Sequence, residues 1–396
     1  MKNILFITWD GPQTNYLEGL FLPIFQQIQN ISDYKFHVIQ FTWGLNNRIE
    51  SIKQKSEELN IAYTAKLVAR KPSVVVGSIL SIHKGKQLIE KYIAENAIDI
   101  VMPRSTMPAL MVNRIKNRNF KLVFDADGLP LEERVDFTGL SPKSLQYRFL
   151  KKEERKMLLN ADKVLTRSKK AVKIHLSNIG GKNLEKFSVV TNGRNTDVFK
   201  PDVFARRNIR KELNLTESTT VFVYCGSLGP QYSWDDMLEI FEKHHQQNSN
   251  SKFLILTSNL DYAHKRVPSH LKEAIIIKNV AFEEVPSYLS AADIAFALRK
   301  PKYSMIAVSP IKLGEYLLMG LPTIASKGIG DSENLLKKNP DCFLYNHHSK
   351  HSTDQALEFI EYLETNIQEK IRAFGIEYFS LEESALTYVK SLNLLQ

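Results

Sequence analysis

Short runs of β-branched and aromatic residues alternate with longer helix-compatible stretches along this chain, and past the middle the alternation starts again. Asn3–Trp9, Phe36–Trp43, Ile98–Met102, Lys121–Phe124 and Lys163–Thr166 read as strands. Glu18–Gln29, Ser81–Asn96 and Lys143–Asn160 read as helices between them. Thr220–Cys225, Phe253–Thr257, Ile275–Val280, Ile294–Leu298 and Pro322–Ser326 repeat the pattern. Strands of this type joined by helices imply right-handed βαβ units and parallel sheets covered on both faces. The fold class expected is therefore α/β, with two doubly wound Rossmann-like domains joined near Asn192–Pro201. A final helical stretch, Ser352–Leu395, is longer than the second sheet needs.

Several classes are excluded at once. No apolar run approaches the roughly 20 residues of a membrane span. The apolar start at Asn3–Trp9 is stopped by Asp10, too soon for a secretory signal, so a cytoplasmic protein is expected. Cys225 and Cys342 make neither a disulfide framework nor a metal-ligand spacing.

Charge is unevenly spread. Residues 1–200 hold 32 basic and 19 acidic side chains, a net of +13, whereas residues 201–396 hold 21 and 24, a net of −3. The window Lys143–Lys173 alone carries eleven basic and three acidic residues. Its helix interleaves Lys143, Arg148, Lys151, Lys152, Arg155 and Lys156 with Leu145, Phe149, Leu150, Met157 and Leu158. That pattern suits an anionic membrane surface, or equally a solvated crossover helix. Nucleic acid is not expected, because no stacking platform or nucleic-acid motif accompanies the charge.

In open α/β sheets, ligands lie beyond the carboxyl ends of the strands, so the residues just after each strand carry the information. The densest such signal is Ser309–Gly320 followed by Leu321-Pro322. Ser309 suits an N-cap, Pro310 the first helical position, and Gly320 with Pro322 the stop. A helix start offers free N–H groups and the positive end of the dipole to a phosphate. Lys312 in the first turn opposes that dipole, which makes sense if an anion occupies the site. Glu315 shares its face and could accept from a ribose diol. Arg299-Lys300 and Lys302 end the strand upstream and add cations, or form a solvated loop. Gly226, Ser227 and Gly229 follow the first strand of the second half without the dinucleotide spacing.

These residues resemble the retaining glycosyltransferases of GT-B fold, in the nucleotide-sugar group numbered family four. Thr191-Asn192-Gly193 with Asp197, Phe199 and Pro201 resembles the interdomain N-G-x-D-x-x-F-x-P. Val223–Gly229 with Trp234 resembles the V-G-S-L-G strand and loop, and Ala292-Asp293 the helix end before the fourth strand. Ser309-Pro310 with Lys312, Glu315, Gly320 and Pro322 resembles S-P-x-K-x-x-E-x-x-x-x-G-x-P. The resemblance implies that Lys312 and the backbone of Val308, Ser309 and Ile311 contact a donor diphosphate, with Gly226, Ser227, Arg299 and Lys300 nearby. It also implies that Glu315 holds the donor ribose. The second glutamate common in the family is Ala307 here. The domains expected are residues 1–200 on the acceptor side and 201–372 for the nucleotide sugar, facing a central cleft. Residues 373–396 would cross back to the first domain.

In the first half, Val101–Ser105 and Phe124–Gly128 resemble the family's strand-end pieces, with Asp127 standing where the family often has Arg. Arg104 and Asp127 are candidate catalytic groups, and Asp10, Gly11 and Asp125 candidate acceptor-side residues. Asp10 could instead cap the following helix. Asp125-Ala126-Asp127 also reads as a metal-binding D-x-D, or as a turn, but no metal and no cofactor are expected. His347, His348 and His351 read as a solvated loop. The function expected is transfer of a sugar from a nucleotide diphosphate to a hydroxyl of a glycan. That glycan would be lipid-linked, part of a surface polysaccharide such as capsule or O-antigen, and assembled at the inner face of the cell membrane by a peripheral protein. A nucleotide-sugar 2-epimerase or a catalytically silent binding protein are the alternatives.

Overall fold

The computed structural model describes residues 1–12, 14–364 and 367–395. The chain forms two compact units, Met1–Thr191 with Leu381–Gln396, and Asn192–Ser380. The first holds a parallel sheet of β1 (Lys2–Asp10), β2 (Tyr34–Thr42), β3 (Ala62–Leu67), β4 (Ile100–Pro103), β5 (Lys121–Asp127), β6 (Lys163–Thr166) and β7 (Phe187–Val189). Its order is β3-β2-β1-β4-β5-β6-β7. The second holds β8 (Thr220–Cys225), β9 (Ser251–Leu256), β10 (Ile275–Lys278), β11 (Ile294–Ala297), β12 (Thr323–Ser326) and β13 (Cys342–Tyr345), ordered β10-β9-β8-β11-β12-β13. Both are α/β sheets of the doubly wound, GT-B kind.

The strands form because both of their faces are covered. Ile4, Leu5, Phe6 and Ile7 of β1 and Val221, Phe222 and Val223 of β8 are wholly buried, as continuous apolar runs in parallel sheets require. In each sheet the order reverses beside the central strand, between β1 and β4 and between β8 and β11. Those switch points open a crevice at the carboxyl edge. Asp10 and Arg104 lie at the first, Gly226 and Arg299 at the second.

Three local expectations are revised. The helix expected from Ser81 begins at Val74, capped by the Ser73 hydroxyl, which accepts from Val76 N–H. The long terminal stretch is three helices, Ser352–Glu361, Gln368–Phe379 and Leu381–Asn393. The chain passes between units at Asn192 and Leu381, not at 201 and 373. Asn192 and Arg194 already bond groups of the second unit, and helix Gln368–Phe379 packs on helix Ile311–Leu318. Gly314 and Gly375 let these two helices touch closely, since a Cβ on either would overlap the other helix. Helix Leu381–Asn393 instead covers Leu22–Ile31 in the first unit.

Candidate active site

The helix that carries the densest sequence signal runs Ile311–Leu318. Pro310, not Ser309, stands at its N-cap, and no side chain caps it. The physical reason lies in Pro310 itself: its ψ of 114 is extended, so helical geometry begins one residue later than expected. Its end is as the sequence suggests. Gly320 takes a left-handed φ of 68, its N–H bonding Leu317 C=O at 2.9 Å while Leu321 N–H bonds Tyr316 C=O at 2.9 Å. This pair of bonds is a Schellman close.

Lys312 projects from the first turn over the end of β8. Its Nζ donates to Tyr224 Oη at 2.7 Å and stands 4.4 Å from the Tyr224 ring centre and 4.1 Å from that of Tyr232. The ammonium crosses the α-carbon of Gly226, where a Cβ would collide with it. Gly226 also has φ of 133, so both space and backbone require glycine. Arg299, after β11, stacks on the same Tyr232 ring at 5.0 Å and donates to its hydroxyl at 3.3 Å. Loss of water around the Lys312 ammonium, with Arg299 repelling it, holds its pKa below the usual lysine value. Two cations on one aromatic ring beside a helix N-terminus make a cradle suited to a diphosphate.

A buried relay fixes Arg299. Its backbone N–H donates to Ser326 Oγ at 2.7 Å, Ser326 Oγ lies 2.8 Å from His347 Nε2, and His347 Nδ1 lies 3.2 Å from Asp236 Oδ2. The expectation of a solvated histidine loop is therefore wrong for His347. The turn after β13 folds it inward, between the ends of β12 and helix Trp234–Gln247. The imidazole bond holds the Asp236 carboxyl below its usual range against the opposing effect of burial.

Glu315 is buried and paired with Arg194, whose Nε and Nη2 donate to Oε1 at 2.8 and 2.7 Å. Burial, aided by the Glu315 charge, pushes the neighbouring Cys225 thiol up to about 12. Asn192 Nδ2 donates to Ser309 C=O at 3.2 Å, tying the start of this unit to the loop before the helix. Val308, Ser309 and Ile311 are partly exposed there, whereas Ser227 and Lys300 are exposed. Ala307 is wholly buried. Tyr224, Tyr232 and Arg194 were not singled out from sequence, although Tyr224 lies inside the V-G-S-L-G segment and Arg194 inside the N-G-x-D segment; His347 was named there, but as part of a solvated loop.

The first unit gathers a second cluster at its own carboxyl edge. Asp125 is wholly buried and accepts from Arg104 Nη1 at 3.2 Å and Arg167 Nη2 at 2.8 Å. Asp127 accepts from Arg104 Nη2 at 2.6 Å, and its side chain is 36% exposed. A register shift in β5 between Asp125 and Asp127, with φ of 60 at Asp127, turns the second carboxylate outward. Burial opposes the charges on Arg104 and Arg167, yet the two carboxylates raise both guanidinium pKa values. Asp125 cannot meet an acceptor as expected. It is enclosed by the arginines and serves to hold them. Nor do Asp125 and Asp127 form an open carboxylate pair, since both are taken up by guanidinium groups.

Asp10 does not cap the next helix. Its Oδ2 accepts from Thr8 Oγ1 at 2.8 Å, and burial raises its pKa despite the nearby Arg104. The carbonyl of Gly11 accepts from Arg48 Nη1 at 2.9 Å. His175 Nε2 holds the Gly128 carbonyl at 3.2 Å, so the loop carrying Asp127 is anchored from below.

Residues 219–361 match the family model of the glycosyl transferases group 1. The matched segment contains the cradle residues from Tyr224 to His347. No curated protein matches the chain. Among solved structures, HepE of Anabaena in complex with UDP and glucose superposes with a TM-score of 0.71 at 15% identity, over 100% of both chains. Sucrose-phosphate synthase from Thermosynechococcus elongatus gives 0.71 at 14%, over 100% of this chain and 99% of that one. The UDP-GlcNAc 2-epimerase of Neisseria meningitidis bound to UDP-GlcNAc gives 0.61 at 10%, over 99% and 100%. At such identities these likenesses speak for the GT-B fold alone.

Proposed function

We propose that this protein is a retaining glycosyltransferase that moves a sugar from a nucleoside diphosphate to a hydroxyl of a lipid-linked glycan, without a metal, in surface polysaccharide synthesis. The observation that carries the reading is the pairing of Lys312 and Arg299 on Tyr232 at the switch point of the second sheet. As the glycosidic bond breaks, negative charge grows on the departing diphosphate. Fixed cations and the N–H groups of Ile311 and its neighbours stabilise that charge without reorganising. Glu315, oriented by Arg194, would accept from the ribose hydroxyls. In the first unit Asp127, held by Arg104, would face the acceptor hydroxyl, with Asp10 beside it. The basic window Lys143–Lys173 would keep the protein on an anionic membrane surface.

The likeness to UDP-GlcNAc 2-epimerases supports a second reading, in which the same cradle holds a nucleotide sugar that is isomerised. A thermal-shift panel of UDP, GDP, CMP, ADP and dTDP sugars, with and without divalent metal, tests the donor site, since a ligand stabilises by RT ln(1 + [L]/Kd). Stabilisation by one nucleotide class in wild type and its loss in Lys312→Met is the expected result. No stabilisation by any of them would overturn the reading. Product analysis without acceptor then separates the two activities, because only an epimerase isomerises the sugar of the donor, whereas a transferase can at most pass it to water.

A further inference from the structure

The first two turns of helix Val74–Glu95 are apolar on the outside. Val75 is 64% and Ile79 61% exposed, and Val74, Val76 and Leu80 are exposed beside them. The inner side of the same turns is closed by Gly77, Ser81 and Ile82. Leu67, at the end of β3, and Leu45, beyond β2, are also exposed. All of these residues follow carboxyl ends of strands, the edge that carries Asp10 and Asp127.

The charge around this apolar tip has one sign. Between Glu58 and Glu90 the chain carries Lys66, Arg70, Lys71, Lys84 and Lys86 and no acidic residue. Lys66, Arg70, Lys71 and Lys84 are exposed. Along the helix the outer positions change from Ile79 and Leu80 to His83, Lys84 and Gln87, so the apolar end is followed by a polar collar. Lys84 lies five residues past Ile79, about 7.5 Å along the axis. Helix Thr106–Val112 packs against both this helix and Leu145–Asn160, which places all three on one face of the sheet. The last of them also begins at the carboxyl edge, with exposed Leu145 and Phe149 beside exposed Arg148 and Lys152.

We infer that the first two turns of Val74–Glu95 dip into an anionic lipid bilayer, with Lys66, Arg70, Lys71 and Lys84 at headgroup level and Leu145–Asn160 lying alongside. This extends the lipid-linked acceptor reading by naming the residues that insert. An apolar tip collared by basic residues matches an anionic interface in both depth and sign. A second copy of the chain is a poor occupant, because a two-fold contact would set the same basic collar against itself. A docked carboxyl edge brings a membrane-borne acceptor to the edge where Asp127 points outward.

The test is co-sedimentation of the full chain with phosphatidylcholine vesicles, plain or with roughly one third phosphatidylglycerol. Binding to the anionic vesicles that fades with salt is expected, with little binding to plain ones. Val75→Asp combined with Ile79→Asp should lower the bound fraction about tenfold, while Lys71→Glu with Lys84→Glu should remove the preference for anionic lipid. Both variants should keep the thermal shift given by the nucleotide sugar, so a failed donor site is distinguished from a failed docking face. The inference is overturned if wild type ignores both vesicle types or binds them equally, or if the aspartate variant binds like wild type. It is also overturned if wild type is a dimer that the aspartate variant splits.

Discussion

Arg194 grips Glu315 at the carboxylate oxygen Oε1, which it reaches from Nε at 2.8 Å and from Nη2 at 2.7 Å. Glu315 therefore has a structural duty as well as its proposed place on the donor ribose. Removing one partner of a buried pair leaves the other charge uncompensated, at a cost of about 3–5 kcal/mol. Glu315→Ala is expected to lower both the urea midpoint and the affinity for nucleotide. Glu315→Gln should recover part of the stability but little of the affinity. Equal denaturation midpoints for wild type and Glu315→Ala would show that the pair contributes nothing to folding.

Lys312 contributes differently, because its ammonium rests on aromatic rings with Arg299 repelling it. Lys312→Met should leave the unliganded melting temperature nearly unchanged and reduce turnover by about two to three orders of magnitude, as for loss of a group that stabilises transition-state charge. Gly226→Ala should act on the same group from below. A Cβ there displaces the ammonium and strains a left-handed backbone by about 1–3 kcal/mol. Full activity in either variant, measured by single-turnover transfer, would take the cradle out of the mechanism.

His347 acts on donor binding through Ser326 and the backbone of Arg299. His347→Ala should raise the donor KM about tenfold, the worth of one or two hydrogen bonds, while kcat changes little. A fall in kcat with KM unchanged would place His347 in the chemical step instead.

The acid limit of stability is expected to follow His175. Burial lowers its pKa from 6.5 to about 4, and its Nδ1 has no hydrogen-bond partner among the described residues. The unfolded chain takes up this proton near 6.5 and the folded chain only near 4. Stability tied to the neutral ring is thus complete above 6.5 and is lost as pH falls toward 4, by roughly 3 kcal/mol. Urea melts across that range should show the slope, and His175→Gln should flatten it. An unchanged slope in the variant would assign the acid limb to other groups.

Much of this arrangement was legible in the sequence because buried parallel strands are continuous apolar runs: Lys163–Thr166 and Thr220–Cys225 were read with the bounds they have. The strands not read are β3, an edge strand whose residues are half-buried or exposed, the three-residue β7, and β13. Val74-Val75-Val76 hid the start of a helix, since β-branched residues in a row favour a strand. Lys312 and Glu315 stood out through local spacing along one helix. Arg194 and Tyr232 meet the cradle through contacts 121 and 67 residues apart in the chain, and His347 reaches Arg299 only by way of Ser326 while leaning on Asp236, 111 residues away; no local pattern announces such partners. Asp125 misled for a related reason: a carboxylate at a strand end looks available until the arginines that enclose it are placed.

The second unit begins at Asn192 and ends at Ser380, and its two ends lie side by side, Arg194 N–H donating to the Phe379 carbonyl at 2.9 Å. The first unit, by contrast, lacks the cover of Leu22–Ile31 until Leu381–Asn393 arrives. The segment made first therefore cannot gain that cover until Leu381–Asn393, on the far side of the whole second unit, has been synthesised.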